Sequence, residues 1–565
     1  MVWGDEINYL PLITNGSVIR IELLILGLFH FMTKLLVVTP LSKNKLKKLE
    51  VDTMIFRLRC NKEGENWWFG AVAEGVKMPI NSAKDHYIFD GRVNNSYNQI
   101  VTLLVSDRGR YIYAEDGCKV EIGDNEVILL DYDGEIDLGE GYSSMKEAYH
   151  AAAKKHFYHS QKTVPPIMLE SAQYCSWVEM LRGIHQRQVE EYVASVKDAD
   201  LPTGCFICDD GWMQDYGDWE FVVEKFPNPK QMCQKIHSLG FKIMLWVCPF
   251  VHRSAKSFKQ LEEQGFFVKT PDGKTAMRNW WNGQSAVLDM TNPGAWEWLK
   301  GNLDRLMSDY GVDGFKFDAG DAEYYRFDDL TYAPTTPNGQ SVAWAKFAAQ
   351  YEYSELRACV GMSGYPIVQR LSDKDNSWDN QRGLGALIPN MVQAGLAGYA
   401  YCCPDMVGGG QEANFGGGKE HDVELFIRSC QCVALMPMMQ FSYAIWKHYA
   451  NELVQKTVKD AAYLRLQYRD YYHQLLEETI KSQAPIMRNL EYSYPNQGLY
   501  DIKDQFMLGD KLLVAPVLKK GERSRKVVLP SGNDWKYVPT GMVYQGGQTV
   551  MVDAPLEILP YFERV

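Results

Sequence analysis

The feature that most constrains the fold is an alternation of short apolar runs with helical stretches between about residues 167 and 480. The apolar runs include residues 204–208, 241–247 and 313–317. The helical stretches between them include residues 229–239 and 295–310. Continuous apolar runs are typical of parallel strands that are buried on both faces. Alternation sustained over about 300 residues therefore predicts an α/β fold with a parallel (β/α)8 TIM barrel.

The segments on either side of this region show strand patterns instead. Residues 119–122 alternate apolar and polar positions and are followed by Gly-Asp-Asn, which predicts a hairpin. Strand-like runs return at 511–517, 525–529 and 549–552, with glycine and proline between them. We therefore expect β-sandwich domains on both sides of the barrel. The predicted domains are an unassigned segment 1–45, an N-terminal β-sandwich 46–160, a catalytic barrel 161–482 and a C-terminal β-sandwich 483–565.

Residues 1–45 match no pattern that we can assign. Leu23 to Met32 is apolar, but it is shorter than the ~20 residues that a spanning helix needs. Acidic residues come first, where a cleaved signal would carry basic ones. We expect no membrane partner, with a degenerate N-terminal anchor as the alternative. The 12 Cys have no regular spacing, which favours free thiols, a reducing compartment and a cytoplasmic location.

Composition narrows the partner class. The formal net charge of −12 argues against nucleic acid, because neutralising phosphates requires clustered lysine and arginine. The chain has 15 Trp, and sugars stack their C–H faces on such rings, so carbohydrate is weakly favoured. Cys205 and Cys208 form a C-x-x-C, which would suit a thiol oxidoreductase. They lie in an apolar run without a second pair at zinc spacing, so a buried strand is the better interpretation.

The strongest catalytic candidate is Asp318, in the segment 312–321 with the sequence VDGFKFDAGD. Side chains alternate along a strand, so Lys316 and Asp318 share one face. The run ends in a turn of small residues, which puts Asp318 at the carboxyl end of a strand, where barrel enzymes carry their catalytic groups. A structural Lys–Asp pair that closes the barrel is the competing interpretation.

Hydrolysis of a glycoside with retention requires a second carboxyl group about 5–5.5 Å from the first. The segment 370–378, RLSDKDNSW, offers Asp373 and Asp375. The residues alone do not decide which of the two faces inward.

Other segments carry residues that could bind a sugar at the open end of the barrel. The acids Asp209 and Asp210 follow an apolar run and could accept hydrogen bonds from sugar hydroxyls, and the adjacent Trp212 could stack on the ring. An Asx turn and a core tryptophan are the competing interpretation. Further candidates are Trp246 at the end of an apolar run, Trp281 in a tryptophan-rich loop and Asp405 in a glycine-rich loop.

Together these segments resemble glycoside hydrolase family 31. The resemblance runs from about residue 165 to the end, through FPNP at 226–229, the strand with Asp318, LGDKLLVAPV at 508–517 and LPYF at 559–562. It implies that Asp318 is the nucleophile. It favours Asp373 over Asp375 as the acid/base, because the family's acid/base precedes an aromatic residue by five positions, as Asp373 precedes Trp378. It also implies sugar-pocket positions for Trp281, Arg370 and Asp405.

The chain departs from the α-glucosidase pattern in two places. The nucleophile strand has Lys-x-Asp at 316–318, and an Asp-Asp-x-Trp turn stands at 209–212. The strand resembles the branch that contains α-galactosidases and a myogenesis-regulating glycosidase. Related α-galactosidase families of the same clan pair a Lys-x-Asp strand with an Asp-Asp-x-Trp turn, which favours an α-galactoside substrate. Met362 stands where the family often has an arginine, and Arg357 or Arg370 could replace it.

We therefore predict a retaining α-glycosidase that acts by double displacement on a carbohydrate substrate. The mechanism needs no metal and no organic cofactor. Alternatives are α-glucoside, α-xyloside or α-N-acetylgalactosaminide specificity, a catalytically silent glycan-binding protein, or a thiol oxidoreductase. The sequence is compatible with a homo-oligomer.

Overall fold

The structure is a computed structural model that describes residues 54–93, 99–132, 134–415 and 420–565. The chain divides into two units, residues 1–52 and 53–565. In the first unit the structure describes the backbone of a hairpin formed by strands Leu12–Thr14 and Ser17–Ile19. The apolar run from Leu23 to Met32 lies outside the described residues. No helix of the described part is long and apolar enough to cross a membrane.

The N-terminal part of the second unit is a β-sandwich, as predicted. One antiparallel sheet has the order Ile55–Arg59, Glu126–Leu130, Lys119–Gly123, Tyr87–Asp90. The other has the order Ile136–Gly139, Tyr111–Ala114, Gln99–Ser106, Asn66–Ala71, Ile80–Asn81. The ring of Phe69 in the second sheet meets Phe89 of the first edge to face at 5.6 Å.

The predicted hairpin in this domain is confirmed. Strand Lys119–Gly123 pairs with Glu126–Leu130 across Asp124 and Asn125, which both have positive φ. That backbone shape fits the right-handed twist of the two strands, and asparagine and aspartate tolerate it best after glycine. A 3-10 helix spans Val72–Lys77, and the α-helix Met145–His156 follows the sandwich.

The central part is the predicted parallel barrel. Within the described residues its sheet has eight strands. They are β1 (Gln173–Cys175), β2 (Cys205–Cys208), β3 (Lys242–Val247), β4 (Gly314–Phe317), β5 (Tyr353–Leu356), β6 (Val368–Arg370), β7 (Cys402–Cys403) and β8 (Gln440–Phe441). Strand β8 pairs with β1, and a parallel bridge between Met406 and Gln440 links the chain after β7 to β8 and closes the ring.

Helices follow or connect these strands. The α-helices of the barrel region are Ile167–Glu170, Trp177–Met180, Gln186–Asp198, Pro229–Ser238, Phe258–Gln264, Pro293–Tyr310, Pro337–Ala348, Leu387–Leu396, Val423–Val433, Ile445–His448, Glu452–Gln467 and Arg469–Ser482. The short 3-10 helices are Leu181–Gly183, Ala322–Tyr324, Leu384–Ala386 and Glu412–Asn414.

The helix Pro293–Tyr310 shows how local sequence sets such bounds. Asn292 caps its first turn by accepting a hydrogen bond from the Gly294 amide, and Pro293 holds the first helical position. Gly311 ends it with φ of +81°. These are the residue types that favour helix starts and stops.

A small antiparallel sheet is inserted after β3. Its order is Phe250–His252, Gly283–Val287, Met277–Trp280. The turn between Met277–Trp280 and Gly283–Val287 brings Trp281 to the pocket.

The C-terminal part forms further sheets, as predicted. One has the order Met487–Arg488, Phe506–Leu508, Leu512–Val514, Tyr561–Arg564, Asp534–Tyr537, Met542–Gln545. The strands Ser524–Leu529 and Gln548–Asp553 pair in a second sheet, and a short helix spans Leu490–Ser493. Side chains from both sheets, including Leu513, Val527 and Trp535, enclose a separate hydrophobic core.

Candidate active site

A polar pocket of about 180 Å³ lies at the carboxyl ends of the barrel strands. Its lining residues are Trp177, Arg182, Asp209, Asp210, Trp246, Trp281, Lys316, Asp318, Arg357, Arg370, Asp373, Gln411 and Glu412. All the site residues predicted from the sequence are among them, except Trp212 and Asp405. The barrel brings these residues together because parallel strands all end on the same side of the sheet.

Asp318 directly follows β4 at the floor of the pocket. Trp246 at the end of β3 donates from Nε1 to Oδ2 of Asp318 over 2.8 Å, and the Ala319 amide donates to Oδ1 over 2.9 Å. Burial alone would raise the pKa of Asp318, but Arg357, Lys316 and Arg370 outweigh burial and hold it below its usual value. Asp318 is therefore ionised at neutral pH, as a nucleophile must be.

Asp373 and Asp375 lie in one turn but have different surroundings. Asp373 lines the pocket and accepts a hydrogen bond of 2.7 Å from Nη1 of Arg370. Asp375 is not a lining residue; its Oδ2 lies 3.2 Å from Nε of Arg382. The turn thus brings Asp373, and not Asp375, into the same pocket as Asp318.

Asp209 and Lys316 form a buried ion pair among the lining residues. Lys316 Nζ donates to Asp209 Oδ2 over 2.6 Å, and the side chains are 3% and 4% exposed. Burial disfavours the ammonium, but Asp209 and the other acidic groups around it more than compensate and raise the pKa of Lys316. The thiol of Cys175 also donates to Asp209. Removal of either partner would leave an uncompensated buried charge.

Within the described part of the chain, Asp210 has one carboxylate oxygen that is hydrogen-bonded and one that is not. Its Oδ2 accepts hydrogen bonds from Arg182, Tyr216 and Asn282. Its Oδ1 is buried and has no hydrogen-bond partner among the described residues. Burial, together with repulsion by Asp209, raises the pKa of Asp210 to about 6.

Arg357, which the sequence offered only as one replacement for the arginine expected at position 362, lines the pocket. It follows β5, and its guanidinium carbon lies 4.4 Å from the centroid of the Trp281 ring. Its Nε is 3.8 Å from Oδ1 of Asp318. Met362, which holds the position where an arginine was expected, is fully buried. The position of Arg357 directly after a barrel strand is the sequence signal that favours it for this place in the pocket.

The other lining residues missed from sequence are Trp177, Arg182 and Glu412, in short helices, and Gln411 just before one of them. Arg182 stacks on Trp177 with 5.2 Å between the guanidinium carbon and the ring. It also contacts both carboxylate oxygens of Glu412 at 3.2 Å. Helices of three or four residues are too short to show a periodic pattern, so nothing in the sequence marked these residues.

The structure places Trp212 in the core and corrects the expectation that it stacks on a sugar. Its side chain is 0% exposed, and its Nε1 donates to the Trp246 carbonyl over 2.9 Å. Its ring packs against Phe221 at 4.9 Å and near Trp219. Trp212 therefore supports the end of β3 from behind.

Asp405 likewise lies behind the pocket rather than in it. It is 0% exposed, and its Oδ1 accepts a hydrogen bond of 2.8 Å from Arg370. Its Oδ2 accepts from the amides of Lys374 and Gly410. The carboxylate thus ties the end of β6, the Asp373 turn and its own loop together.

Cys205 and Cys208 are buried free thiols within β2. Burial raises the pKa of both, so neither has the thiolate character of a redox cysteine. In the part of the chain that the structure describes, no group of three or more His, Cys, Asp or Glu side chains could hold a metal ion.

Comparison with known families matches most of the chain. The model of the glycosyl hydrolases family 31 TIM-barrel domain matches residues 162–475. The model of the glycosyl hydrolase family 31 C-terminal domain matches residues 483–565.

Similar proteins include glycosidases of several kinds. The chain is 33% identical over 393 residues to the myogenesis-regulating glycosidase of Mus musculus, covering 68% of this chain and 54% of that protein. It is 25% identical to alpha-glucosidase 2 of Bacillus thermoamyloliquefaciens, covering 67% and 50%. The chain thus spans about half the length of these curated relatives. Among solved structures, a family 31 alpha-xylosidase from a soil metagenome, complexed with xylose, has a TM-score of 0.77 at 23% identity, covering 91% of this chain and 79% of that one.

Proposed function

The chain belongs to glycoside hydrolase family 31, and we propose that it is a retaining α-glycosidase that removes a terminal α-linked sugar. The observation that carries this proposal is that Asp318 and Asp373 line one pocket at the carboxyl end of the barrel. A retaining mechanism requires two carboxyl groups on either side of the scissile bond. The small volume of the pocket, about 180 Å³, favours a terminal sugar over the middle of a long chain.

Asp318 is the nucleophile in this proposal. Its carboxylate attacks the anomeric carbon and forms a covalent glycosyl-enzyme as the bond to the leaving oxygen breaks. The Trp246 indole and the Ala319 amide each donate to one oxygen of Asp318 and so fix the direction of the carboxylate. The positive charges of Arg357, Lys316 and Arg370 keep it ionised.

Asp373 is the acid/base. It gives its proton to the leaving oxygen in the first step and removes a proton from water in the second, so that retention follows from two displacements. Its side chain is about a third exposed, which suits a group that must meet both the departing alcohol and incoming water.

An α-galactoside is the substrate that we favour. The buried Lys316–Asp209 pair and the adjacent Asp210 form one polar wall of the pocket. Asp210 Oδ1 is available there to accept a hydrogen bond from a sugar hydroxyl. The same Asp-Asp-x-Trp and Lys-x-Asp elements in related α-galactosidases support the assignment. Relatives named as alpha-glucosidase and alpha-xylosidase make those sugars the alternatives.

The charge balance of the pocket favours a neutral sugar. Each cation of the lining already lies within 4 Å of a carboxylate; these cations are Arg182, Lys316, Arg357 and Arg370. An acidic sugar would have to compete with those carboxylates. Similar proteins named as sulfoquinovosidases therefore do not indicate an anionic substrate here.

Hydrolysis of aryl α-galactosides by the wild-type protein and Asp318→Asn tests the nucleophile. We expect the variant to lose at least about 10³-fold in kcat, since the covalent step requires the carboxylate. An active Asp318→Asn would rule the assignment out. A panel of aryl α-galactosides, α-glucosides and α-xylosides identifies the sugar, and faster turnover of either of the latter would overturn the galactoside preference.

Asp373→Ala and Asp375→Ala form a matched pair for the acid/base. Azide should restore turnover of an activated aryl glycoside only in Asp373→Ala, because azide replaces water without needing a general base. Asp375→Ala should retain wild-type rates, since its partner Arg382 lies outside the pocket. If azide instead restored turnover in Asp375→Ala, Asp375 would be the acid/base. Binding of the sugar without turnover by the wild-type protein would indicate a glycan-binding protein.

A further inference from the structure

Gln99, in the N-terminal sandwich, reaches the carboxyl ends of two barrel strands. It begins the strand Gln99–Ser106 and is 1% exposed. Its Nε2 donates to the carbonyl of Arg357, directly after β5, and to the carbonyl of Arg370, at the end of β6, the latter over 2.5 Å. Strands β5 and β6 are neighbours in the barrel, so one amide group of the sandwich joins the ends of both.

The chemistry of this contact requires an amide at position 99. Both partners are carbonyl oxygens, so the atom that faces them must be the nitrogen of the side chain. An amide nitrogen carries two hydrogens, and one can be donated to each carbonyl. Among side chains of similar length, glutamate has at most one donor and methionine has none. Glutamine therefore satisfies two acceptors that these side chains would leave wholly or partly without a donor.

The main chain next to Gln99 is paired with the barrel chain. The strand Cys359–Val360 runs parallel to the start of the Gln99 strand, with Cys359 opposite Gln99. The Gly361 amide donates to the Ile100 carbonyl over 3.1 Å. The position of the Gln99 side chain relative to the barrel is therefore defined by main-chain hydrogen bonds on the same segment.

The two arginines that Gln99 joins extend to the two proposed catalytic carboxyl groups. Nε of Arg357 lies 3.8 Å from Oδ1 of Asp318, and Nη1 of Arg370 lies 2.7 Å from Oδ1 of Asp373. All four side chains line the pocket. A shift of one strand end relative to the other would therefore displace one carboxyl group relative to the other. Retaining hydrolysis requires these groups to be about 5–5.5 Å apart.

We propose that Gln99 is a positioning residue that sets the spacing of Arg357 and Arg370, and through them the spacing of Asp318 and Asp373. This role rests on the proposed functions of the two aspartates. It makes the N-terminal sandwich part of the catalytic machinery, although Gln99 itself is not among the lining residues. The competing interpretation is purely structural: Gln99 only satisfies two buried carbonyls.

Gln99→Met tests this role, since methionine has a similar length but no donor. We expect kcat for an aryl α-glycoside to fall about 10- to 100-fold, because small displacements of catalytic groups are costly. KM should stay within about threefold of wild type, because Asp210 and its hydrogen-bond partners are not on the two joined strands. Gln99→Asn keeps an amide on a shorter side chain and should have an intermediate kcat. A wild-type kcat in either variant, with thermal unfolding showing that it is folded, would overturn the inference.

Tyr399→Phe is the matched control. The Tyr399 hydroxyl lies 3.1 Å from the carbonyls of both Ile100 and Cys359, so it also joins the sandwich to the barrel. Tyr399 is buried and is not among the lining residues. Both Tyr399→Phe and Gln99→Met should lower the unfolding midpoint, but Tyr399→Phe should keep kcat within about twofold of wild type. Equal losses of kcat in the two variants would indicate a general loosening of the contact between the domains and would contradict the role of Gln99.

A double-mutant cycle provides a readout that a purely structural role would not change. If Gln99 acts through Arg357, the loss of kcat in Gln99→Met/Arg357→Lys should be smaller than the product of the two single losses by about threefold or more. The losses in Tyr399→Phe/Arg357→Lys should multiply, because Tyr399 does not contact the arginine carbonyl. Losses that multiply in both pairs would count against the inference.

Asp318→Asn separates failure of this role from failure of the proposed function. If Asp318→Asn is inactive while Gln99→Met has wild-type kcat, only the role of Gln99 is wrong. If Asp318→Asn is active, the proposed function is wrong, and so is the positioning of Asp318 by Gln99.

Discussion

Asp210 shows how the environment of one residue gives it a function. The barrel buries its carboxyl group, sets Asp209 beside it and leaves Oδ1 without a partner among the described residues. Burial raises the pKa of Asp210 to about 6, two units closer to neutral than an exposed aspartate. Asp318 is equally buried, but the cations around it shift its pKa the other way. Two neighbouring carboxylates are thus suited to different tasks.

We expect substrate binding to weaken as pH falls through 6. A raised carboxyl pKa means that Asp210 is ionised above about pH 6 and neutral below it, and only the carboxylate makes a charge-assisted hydrogen bond to a sugar hydroxyl. The KM of an aryl α-galactoside should rise by about 10- to 100-fold between pH 7 and pH 4.5. Steady-state kinetics measure this rise, and Asp210→Asn should have a high KM without the pH dependence.

Glu412→Gln is the control for this prediction. Glu412 also contacts Arg182 and lines the pocket, but it is about 40% exposed. Its variant should keep the wild-type pH dependence of KM. If the change at acid pH appears in kcat rather than in KM, or if the pH dependence of KM is lost in Glu412→Gln, Asp210 is not the titrating group.

At the scale of elements, a tryptophan in the segment after β2 and a tryptophan in β3 have different structural roles. Trp246 is the next-to-last residue of β3 and lines the pocket, where its indole donates a hydrogen bond to Asp318. Trp212 follows β2 and donates to the Trp246 carbonyl from the core. One ring contacts the proposed nucleophile, and the other supports the strand that presents it.

Replacing each tryptophan with phenylalanine should distinguish the two roles. Trp246→Phe removes a hydrogen bond to an ionised group, so kcat should fall about 10- to 100-fold with little loss of stability. Trp212→Phe leaves a small void and an unsatisfied carbonyl in the core, so it should cost about 1–3 kcal/mol of unfolding free energy. Kinetics and chemical denaturation of both variants measure the effects, and a Trp212 variant with the larger loss of kcat would contradict the assignment.

At the scale of the whole molecule, Arg428 joins the barrel to the C-terminal domain. It is fully buried on the helix Val423–Val433. Its guanidinium donates to main-chain carbonyls of the C-terminal domain, at Glu522, Ala554, Pro555 and Ile558. Burial lowers the pKa of Arg428 to about 10, and it stays charged at neutral pH.

Arg428→Met should uncouple the two domains. The variant leaves several buried carbonyls without a donor, each costing about 1–3 kcal/mol. Calorimetry should show that a first unfolding transition moves to lower temperature and separates from that of the barrel, while KM stays at the wild-type value because Arg428 does not line the pocket. Arg523→Ala, which breaks an exposed contact with Glu424, should change stability by less than about 1 kcal/mol. One unshifted transition in Arg428→Met would show that the domains are held together by other contacts.

The barrel architecture, and the position of Asp318 at the carboxyl end of one of its strands, could be predicted from the sequence. Apolar runs gave β2, β3 and β4 to within a residue or so, because a parallel strand buried on both faces must be continuously apolar. Period-two alternation placed Lys316 on the same side of β4 as Asp318. Both are local properties of regular elements, so they can be predicted without knowing what packs against them.

Long-range packing selects the loop side chains that line the pocket. Asp373 and Asp375 are two residues apart in a turn without a repeating geometry, and their directions follow from contacts with Arg370 and Arg382. Trp212 lies in the core, Asp405 lies behind Arg370, and Arg357 lines the pocket, because residues distant in sequence fill the space around each of them. The direction of a loop side chain depends on residues that are distant in sequence. It therefore cannot be predicted from the local sequence pattern.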